Sequence, residues 1–285
     1  MSIAAIIITF NPNILLLQKN VESISVQVDQ VIVYDNNSSN ISSITSLLKD
    51  FDNVTLYSSG KNNGISKATN DSVKMLKSGV VWFLTLDQDS VCPNNLIEEY
   101  KKYIKLPNVG LMCPQVRTST GRIIQERTQS SDIEYINRCI TSACFVKKSA
   151  FNQIGGLDEK MFIDGVDHDL CKRFELAGIK MIRCNNVELK HNLGSNEVVT
   201  ASVVLNKILG TKIIYQTYSP FRIYYLVRNN IYYLRKYKGH LSSNEIDSTL
   251  RLIFQHVAIK SIFVSNHRWQ SLKAIFNGAI DGFKL

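Results

Sequence analysis

The sequence predicts an α/β fold, with a mostly parallel central sheet, flanking helices and a C-terminal helical extension. Three observations predict it. Through the first third of the chain, short β-branched runs alternate with longer stretches whose apolar residues recur at helical spacing. Polar clusters close each run, as turns at strand ends do. After His191 this punctuation gives way to long aromatic and basic segments.

In order, Ile3–Thr9, Gln30–Tyr34, Val54–Ser58 and Val80–Leu86 read as strands. Ile14–Val26, Ile41–Phe51 and Ile65–Lys77 between them read as crossover helices, giving a doubly wound start. Gly110–Val116 and Ile140–Lys147 are again strand-like, with a polar loop between them that includes Gly121–Arg127. Phe162–Gly178 has helical spacing, and Val187–Lys190 resembles a short strand. Ser219–Lys238 and Ile246–Val264 are helical. The expected division is a catalytic-type α/β domain over 1–200 and a helical region over 201–285 packed on it.

Composition narrows the class. A chain of 285 residues with 45% hydrophobic and 20% charged content is an ordinary globular protein. The stretch Ile3–Ile8 is too short for a signal peptide and lacks a basic flank, so a cytoplasmic protein is expected, with peripheral membrane contact as an option. Leu252–Val264 is broken by Gln255, His256 and Lys260 and falls short of the ~20 residues of a membrane span. The six cysteines form no CxxC pair and read as reduced, buried thiols. The net charge of +9 points to an anionic partner, and it is uneven: Tyr215–Lys238 holds five basic residues and no acidic one.

In an open α/β sheet, ligands gather beyond the carboxyl ends of the strands. There the sequence places Thr9-Phe10-Asn11-Pro12, Asp35-Asn36-Asn37-Ser38, Lys61-Asn62-Asn63-Gly64 and Asp87-Gln88-Asp89. The last is the most informative, because the buried-strand run Val81–Leu86 leads straight into two carboxylates. Residues i and i+2 of an extended segment point to the same side, so Asp87 and Asp89 can approach one site together. Hard cations such as Mg²⁺ or Mn²⁺ use one or two carboxylates and complete their shell with phosphate oxygens. The alternative is a solvated strand end with an Asx-type turn before Pro93.

To these the sequence adds Val33-Tyr34-Asp35, Gly155-Gly156-Leu157-Asp158, Phe162-Ile163-Asp164-Gly165-Val166-Asp167 and His191-Asn192-Leu193-Gly194. In this order the motifs resemble those of the family 2 glycosyltransferases of the GT-A fold, from about Ile3 to about Gly194. Asp-Gln-Asp-Ser, Phe-Ile-Asp-x-Val-Asp and the later Ser219-Pro220-x-Arg222-x-Tyr224-Tyr225 with Arg228-Asn229 are most similar to bacterial rhamnosyltransferases of O-antigen and capsule assembly.

The resemblance implies an inverting transfer of a sugar, L-rhamnose from dTDP-rhamnose, to a lipid-linked oligosaccharide acceptor, with Mn²⁺ or Mg²⁺ as cofactor. It implies that Asp35 accepts a hydrogen bond from the base or ribose, that Thr9 and Asn11 border the nucleotide, and that Asn63 and Gly64 allow close backbone approach. Asp87 and Gln88 then contact the donor, and Asp89, Asp87 and His191 hold the metal. Asp167 is the general base, with Asp164 and Asp169 near enough in sequence to compete. Val166 stands where many relatives carry Glu. Arg222, Arg228 and Asp164 are candidates for diphosphate or acceptor contacts. Each has a plainer reading: Asp35 as a turn cap, Asp167 as an acid favoured at a helix N-terminus, and His191 as a packing residue.

Competing functions are a same-fold transferase using a UDP-sugar (galactose or N-acetylglucosamine), a non-catalytic sugar-binding relative, and a nucleic-acid-binding protein. A pI near 9.2 favours the last, but carboxylates gathered at one strand edge would repel a phosphate backbone.

Overall fold

A computed structural model describes residues 1–118, 123–124, 131–191, 197–200, 214–259 and 267–285. The chain divides into two compact units, one of residues 1–159 and 166–193, the other of residues 160–165 and 194–285.

The first unit is a sheet flanked by helices. Strands β1 (Ser2–Thr9), β2 (Gln30–Asp35), β3 (Val54–Ser58) and β4 (Val80–Asp87) alternate with helices α1 (Ile14–Ser25), α2 (Ile41–Leu48) and α3 (Gly64–Lys74). These are the expected elements, and all three strand pairings are parallel, in the order β3-β2-β1-β4. Because β1 and β2 are covered on both faces, they consist almost wholly of buried, mainly aliphatic residues. Asn13 caps α1 by accepting from the Leu15 and Leu16 N–H groups.

Beyond β4 the sheet continues through β8 (Cys144–Lys147), β5 (Val109–Thr118), β9 (Lys180–His191) and β7 (Ile133–Ile136), with β6 (Ile123–Ile124) paired to β5. Strand β8 runs antiparallel to both neighbours, while β9 is parallel to β5. Of the nine strands, six point one way. Phe145 of β8 lies between Trp82 and Tyr100, with ring centroids 4.9 and 5.3 Å away and nearly parallel planes, which fastens β8 to β4.

Several sequence boundaries shift. The strand expected over Ile140–Lys147 begins only at Cys144, because Ala143 takes a left-handed φ of 58° and its carbonyl accepts from the buried Tyr100 hydroxyl at 2.7 Å. The helix expected from Phe162 starts at Val166, after Asp164 and Gly165 adopt successive positive φ values of 63° and 81°. Strand β9 is far longer than Val187–Lys190, and its register with β5 jumps at Pro114, which has no N–H to donate. The short helices α4 (Leu96–Lys101) and α5 (Lys148–Gln153) carry no sequence expectation; α6 is Val166–Leu176. Most of the Gly121–Arg127 loop lies outside the described residues.

The second unit contains an antiparallel pair of strands, β10 (Glu197–Thr200) with β11 (Ile214–Thr217), and the helices Pro220–Lys236, Ser243–Arg251 and Arg268–Lys284. Ser219 caps the first of these and Pro220 opens it. A capping box of Ser242 and Glu245 starts the second three residues ahead of the expected Ile246, and the chain then runs as π-helix over Leu252–Ile259. Residues 260–264 of the expected helix lie outside the described residues. Ile223, Leu226, Val227, Ile253 and Val257 form this unit's core. Among the described residues no helix is long and apolar enough to cross a membrane.

The Gly155-Gly156-Leu157 motif is a stability element. Both glycines have φ near +77°, and a Cβ on Gly156 would meet Asn70 Oδ1 at 2.7 Å, whereas one on Gly155 meets nothing within 4 Å. Asn70 holds Leu157 at both backbone groups, accepting from its N–H at 2.7 Å and donating to its carbonyl at 2.9 Å. Gly155→Ala should therefore cost about 1–2 kcal/mol of strain, and Gly156→Ala about 1–3 kcal/mol more by breaking the Asn70 clamp. Urea unfolding midpoints of the two variants measure the difference.

Candidate active site

The parallel register aligns the carboxyl ends of the first four strands. Thr9 pairs with Asp35, Asp35 with Ser58, and Ile8 with Asp87. The expected nucleotide-side and metal-side residues of the first unit thus share one sheet edge.

At the ends of β1 and β2 the polar groups bind one another. Asp35 Oδ1 accepts from the Thr9 hydroxyl at 3.0 Å and the Ser38 hydroxyl at 2.5 Å, and Oδ2 accepts from the Ser38 N–H at 2.9 Å. Thr9 and Asp35 have no solvent exposure, so here they form the inner wall of the edge and Asp35 caps its turn. Asn11, with a φ of 47°, accepts at Oδ1 from the Ser39 N–H and hydroxyl. Asn63 donates its N–H to Asn36 Oδ1 at 3.1 Å and its side-chain amide to the Tyr34 hydroxyl at 3.0 Å. Gly64, at φ 75°, opens α3.

The Asp87-Gln88-Asp89 segment corrects one expectation. Strand β4 ends at Asp87 and Gln88-Asp89 form a turn, closed by the Ser90 N–H to the Asp87 carbonyl at 3.2 Å. The turn, not strand alternation, sets where Asp89 stands. Gln88 Oε1 accepts from the Phe10 N–H at 2.8 Å, tying this turn to the end of β1.

A stripe of polar side chains on α1 holds the same segment. Asn20 donates to the Asp87 carbonyl at 2.5 Å, Ser23 Oγ accepts from the Cys92 N–H at 3.0 Å, and Gln27, just beyond the helix, donates to the Pro93 carbonyl and accepts from the Ile97 N–H. The sequence signal was there to find: Asn20 is polar, yet it falls in step with the apolar Leu17, Val21 and Ile24, and all four are fully buried.

Asp167 lies in the first turn of α6 and accepts from the Thr141 hydroxyl at 2.7 Å. Thr141 accepts at its carbonyl from the Thr85 hydroxyl of β4, and the next residue, Ser142, is hydrogen-bonded to Ser90 at 2.7 Å. The Thr141–Ser142 segment therefore ties the Asp167 carboxylate to the turn that carries Asp89. Asp169 is buried and ion-paired to Arg173 at 2.9 Å, so its carboxylate is engaged within α6.

His191 ends β9, paired in backbone with Thr118; its neighbour Lys190 bridges Val91, which brings this strand end to the residues after Asp89. Asn192, Leu193 and Gly194 of the motif lie outside the described residues. Among the described residues no three His, Cys, Asp or Glu side chains gather to hold a metal. Two carboxylates at a strand end are a hard donor set that suits Mg²⁺ or Mn²⁺ when phosphate oxygens and water fill the remaining positions. All six cysteines are buried and free, as expected from their spacing.

In the second unit, Asp164 receives both ends of the Arg222 guanidinium, at 2.6 and 3.3 Å. Arg228 donates to the Lys160 carbonyl at 2.5 Å and lies 4.6 Å from the Tyr225 ring centroid. Asn229 donates to the carbonyls of Ile163 and Asp164 at 2.8 and 2.7 Å. Both arginines are thus engaged in ordering residues 160–165, the chain segment leading into α6.

A doubly wound α/β domain with a carboxylate turn and a tethered carboxylate at its strand edge has the design of an enzyme that handles a phosphorylated ligand. Residues 4–157 match glycosyl transferase family 2, and the chain belongs to that family. It is 28% identical over 250 residues to the dTDP-rhamnosyl transferase RfbF of Shigella flexneri, covering 82% of this chain and 80% of that protein. Solved structures share the GT-A fold. The mannosyltransferase PcManGT from Pyrobaculum calidifontis, in complex with GDP-Man and Mn²⁺, superposes with a TM-score of 0.60 at 11% identity, covering 98% of this chain and 73% of that one. TarS of S. aureus with UDP-GlcNAc gives 0.59 at 12% identity, covering 98% and 80%. GalNAc-T7 with UDP, GalNAc and Mn²⁺ gives 0.60 at 10% identity; the match takes in 92% of this chain but only 57% of that one.

Two measurements check this geometry. Asn20→Ala removes the side-chain donor to the Asp87 carbonyl and should lower stability by about 1–3 kcal/mol, read by chemical denaturation. Burial, reinforced by the Arg138 charge, holds the His168 imidazole down to about 4. The folded protein therefore takes up this proton less readily than the unfolded chain, so stability is full above about pH 6.5 and falls as pH drops towards 4. His168→Gln should flatten that loss, seen as a smaller drop in urea midpoint between pH 7 and pH 5.

Proposed function

We propose that this chain is an inverting, metal-assisted glycosyltransferase that moves L-rhamnose from dTDP-rhamnose to a lipid-linked glycan acceptor at the cytoplasmic face of a membrane. The observation that carries the mechanism is the tether from Asp167 through Thr141 and Ser142 to the Asp87–Ser90 turn. A base and a diphosphate-holding turn must be fixed relative to each other if an acceptor hydroxyl is to attack opposite the leaving group. The donor assignment is supported by the match to RfbF.

In this reading Asp167 accepts the proton of the acceptor hydroxyl as its oxygen bonds to the anomeric carbon and the bond to the diphosphate breaks. The Thr141 hydroxyl orients the carboxylate. Asp89 and Asp87, with His191 at the adjoining strand end, would hold Mn²⁺ or Mg²⁺, whose chemistry is to neutralise charge on the departing diphosphate. Gln88 fixes the turn against β1. Asn11, Asn63 and Gly64 border the nucleotide, and Asp35, its carboxylate held by Thr9 and Ser38, supports this edge as a turn cap. Asp164, Arg222 and Arg228 order residues 160–165, the segment that precedes Asp167 in the chain, a role their existing bonds favour over direct diphosphate contact.

A UDP-sugar donor is the second reading, because thymine and uracil differ by one methyl group, worth roughly 1–3 kcal/mol of discrimination. A panel of dTDP- and UDP-sugars with Mn²⁺ or Mg²⁺, scored by nucleoside diphosphate release, tests both. Turnover with dTDP-rhamnose that is abolished by EDTA and lowered about 10²–10⁴-fold by Asp167→Asn is expected. A preference for UDP-galactose or UDP-N-acetylglucosamine would move the donor and keep the mechanism, and full activity of Asp167→Asn would remove Asp167 from it.

A further inference from the structure

The C-terminal helix Arg268–Lys284 is packed with its small residues inward. Ser271, Gly278 and Gly282 form its buried side. A Cβ on Gly278 would meet the Tyr224 carbonyl oxygen at 2.6 Å, and one on Gly282 the Arg228 carbonyl oxygen at 2.6 Å, so this helix and the Pro220–Lys236 helix touch backbone to backbone. The Tyr224 hydroxyl to Asp281 at 2.8 Å and the Arg235 guanidinium to the Gly282 carbonyl at 3.1 Å fix the rotation.

That rotation leaves the large apolar side chains outside. Trp269, Phe276, Ile280 and Phe283 are 85%, 66%, 37% and 62% exposed. At about 100° per residue they fall within roughly 60° of arc, on one side of the helix from its first turn to its last. A stripe this long is more than the scattered apolar exposure of an ordinary surface.

Charge identifies what covers it. The second unit carries 13 lysines and arginines against five acidic residues, a net +8 of the chain's +9, and the first unit is nearly neutral. Arg268, Lys273 and Lys284 lie on the striped helix itself. Such concentrated like charge opposes pairing with a second copy and attracts an anionic surface. An amphipathic helix with aromatic residues on one face and basic residues around it lies in the headgroup region of a bilayer, apolar side down, and tryptophan favours that depth.

We propose that the exposed face of the Arg268–Lys284 helix docks on an anionic phospholipid bilayer, with Trp269, Phe276, Ile280 and Phe283 inserted at the interface and the unit's positive charge drawn to the headgroups. Its purpose rests on the lipid-linked acceptor proposed above, but vesicle binding is measured without any sugar, so the two can fail separately.

The full chain is mixed with phosphatidylcholine vesicles with and without phosphatidylglycerol, followed by sedimentation and tryptophan fluorescence. Trp82 is buried and Trp269 exposed, so a spectral shift reports on the helix. Sedimentation with the phosphatidylglycerol vesicles, a blue shift of emission, and loss of both in high salt are expected. Phe276→Ser/Phe283→Ser, which alters exposed positions and keeps Trp269, should bind at least roughly tenfold more weakly while releasing nucleoside diphosphate to a water-soluble acceptor as the parent does. Absence of binding, equal binding by the double variant, or salt-independent binding to pure phosphatidylcholine would each overturn the proposal. So would a dimer in solution that the double variant dissociates. Vesicle binding without any sugar transfer would uphold the surface and count against the transferase reading alone.

Discussion

The constraint on which the first unit depends is the parallel register of β1 with β2 and β4. Register in a sheet covered on both faces is set by burial, since a one-residue slip would exchange every side chain between the faces. Here it fixes Thr9 beside Asp35 and Ile8 beside Asp87. Everything polar at the strand edge is then placed relative to those pairs: Gln88 reaches back to Phe10, Ser38 folds onto Asp35, and Asn63 meets Asn36.

A strand end is nonetheless only an address. The position of the carboxylates beyond it is set by bonds that come from elsewhere in sequence. Helix α1 grips the backbone of residues 87–97 through Asn20, Ser23 and Gln27, and the segment before β8 links Asp167 to Ser90. The turn is thus held from two directions by neutral hydrogen bonds. Asn20, Ser23, Gln27 and Ser142 carry no charge, so the bonds that they make to this segment add no net charge beside its carboxylates.

The sequence made the first four strands and three helices legible because each has its own period and closing turn. It showed only Val187–Lys190 of β9, because the polar Arg183 and Asn185 interrupt the apolar run before it. In the sheet they are buried and satisfied, Arg183 by Asn185 and Glu134, and Asn185 by the Ser131 carbonyl. Helices α4 and α5, of six residues each, are too short to show a period. The Arg268–Lys284 helix falls within the expected helical region but received no bounds of its own, because two interior glycines lower its propensity and its aromatics point outward, against the usual pattern. Of the site, the motif residues were visible and Asn20 left a local mark as a polar residue in step with an apolar stripe, while Thr141 and Ser142 left none, because their bonds reach residues far away in sequence.

The second unit is discontinuous in sequence, since residues 160–165 belong with 194–285. Arg222, Arg228 and Asn229 bind carbonyl and carboxylate groups of that six-residue insert. Recombination between relatives that exchanged only the C-terminal region would therefore separate a loop from its partners. An exchange that preserves both must carry the insert along, so inheritance in this chain is constrained to blocks that its linear order does not mark.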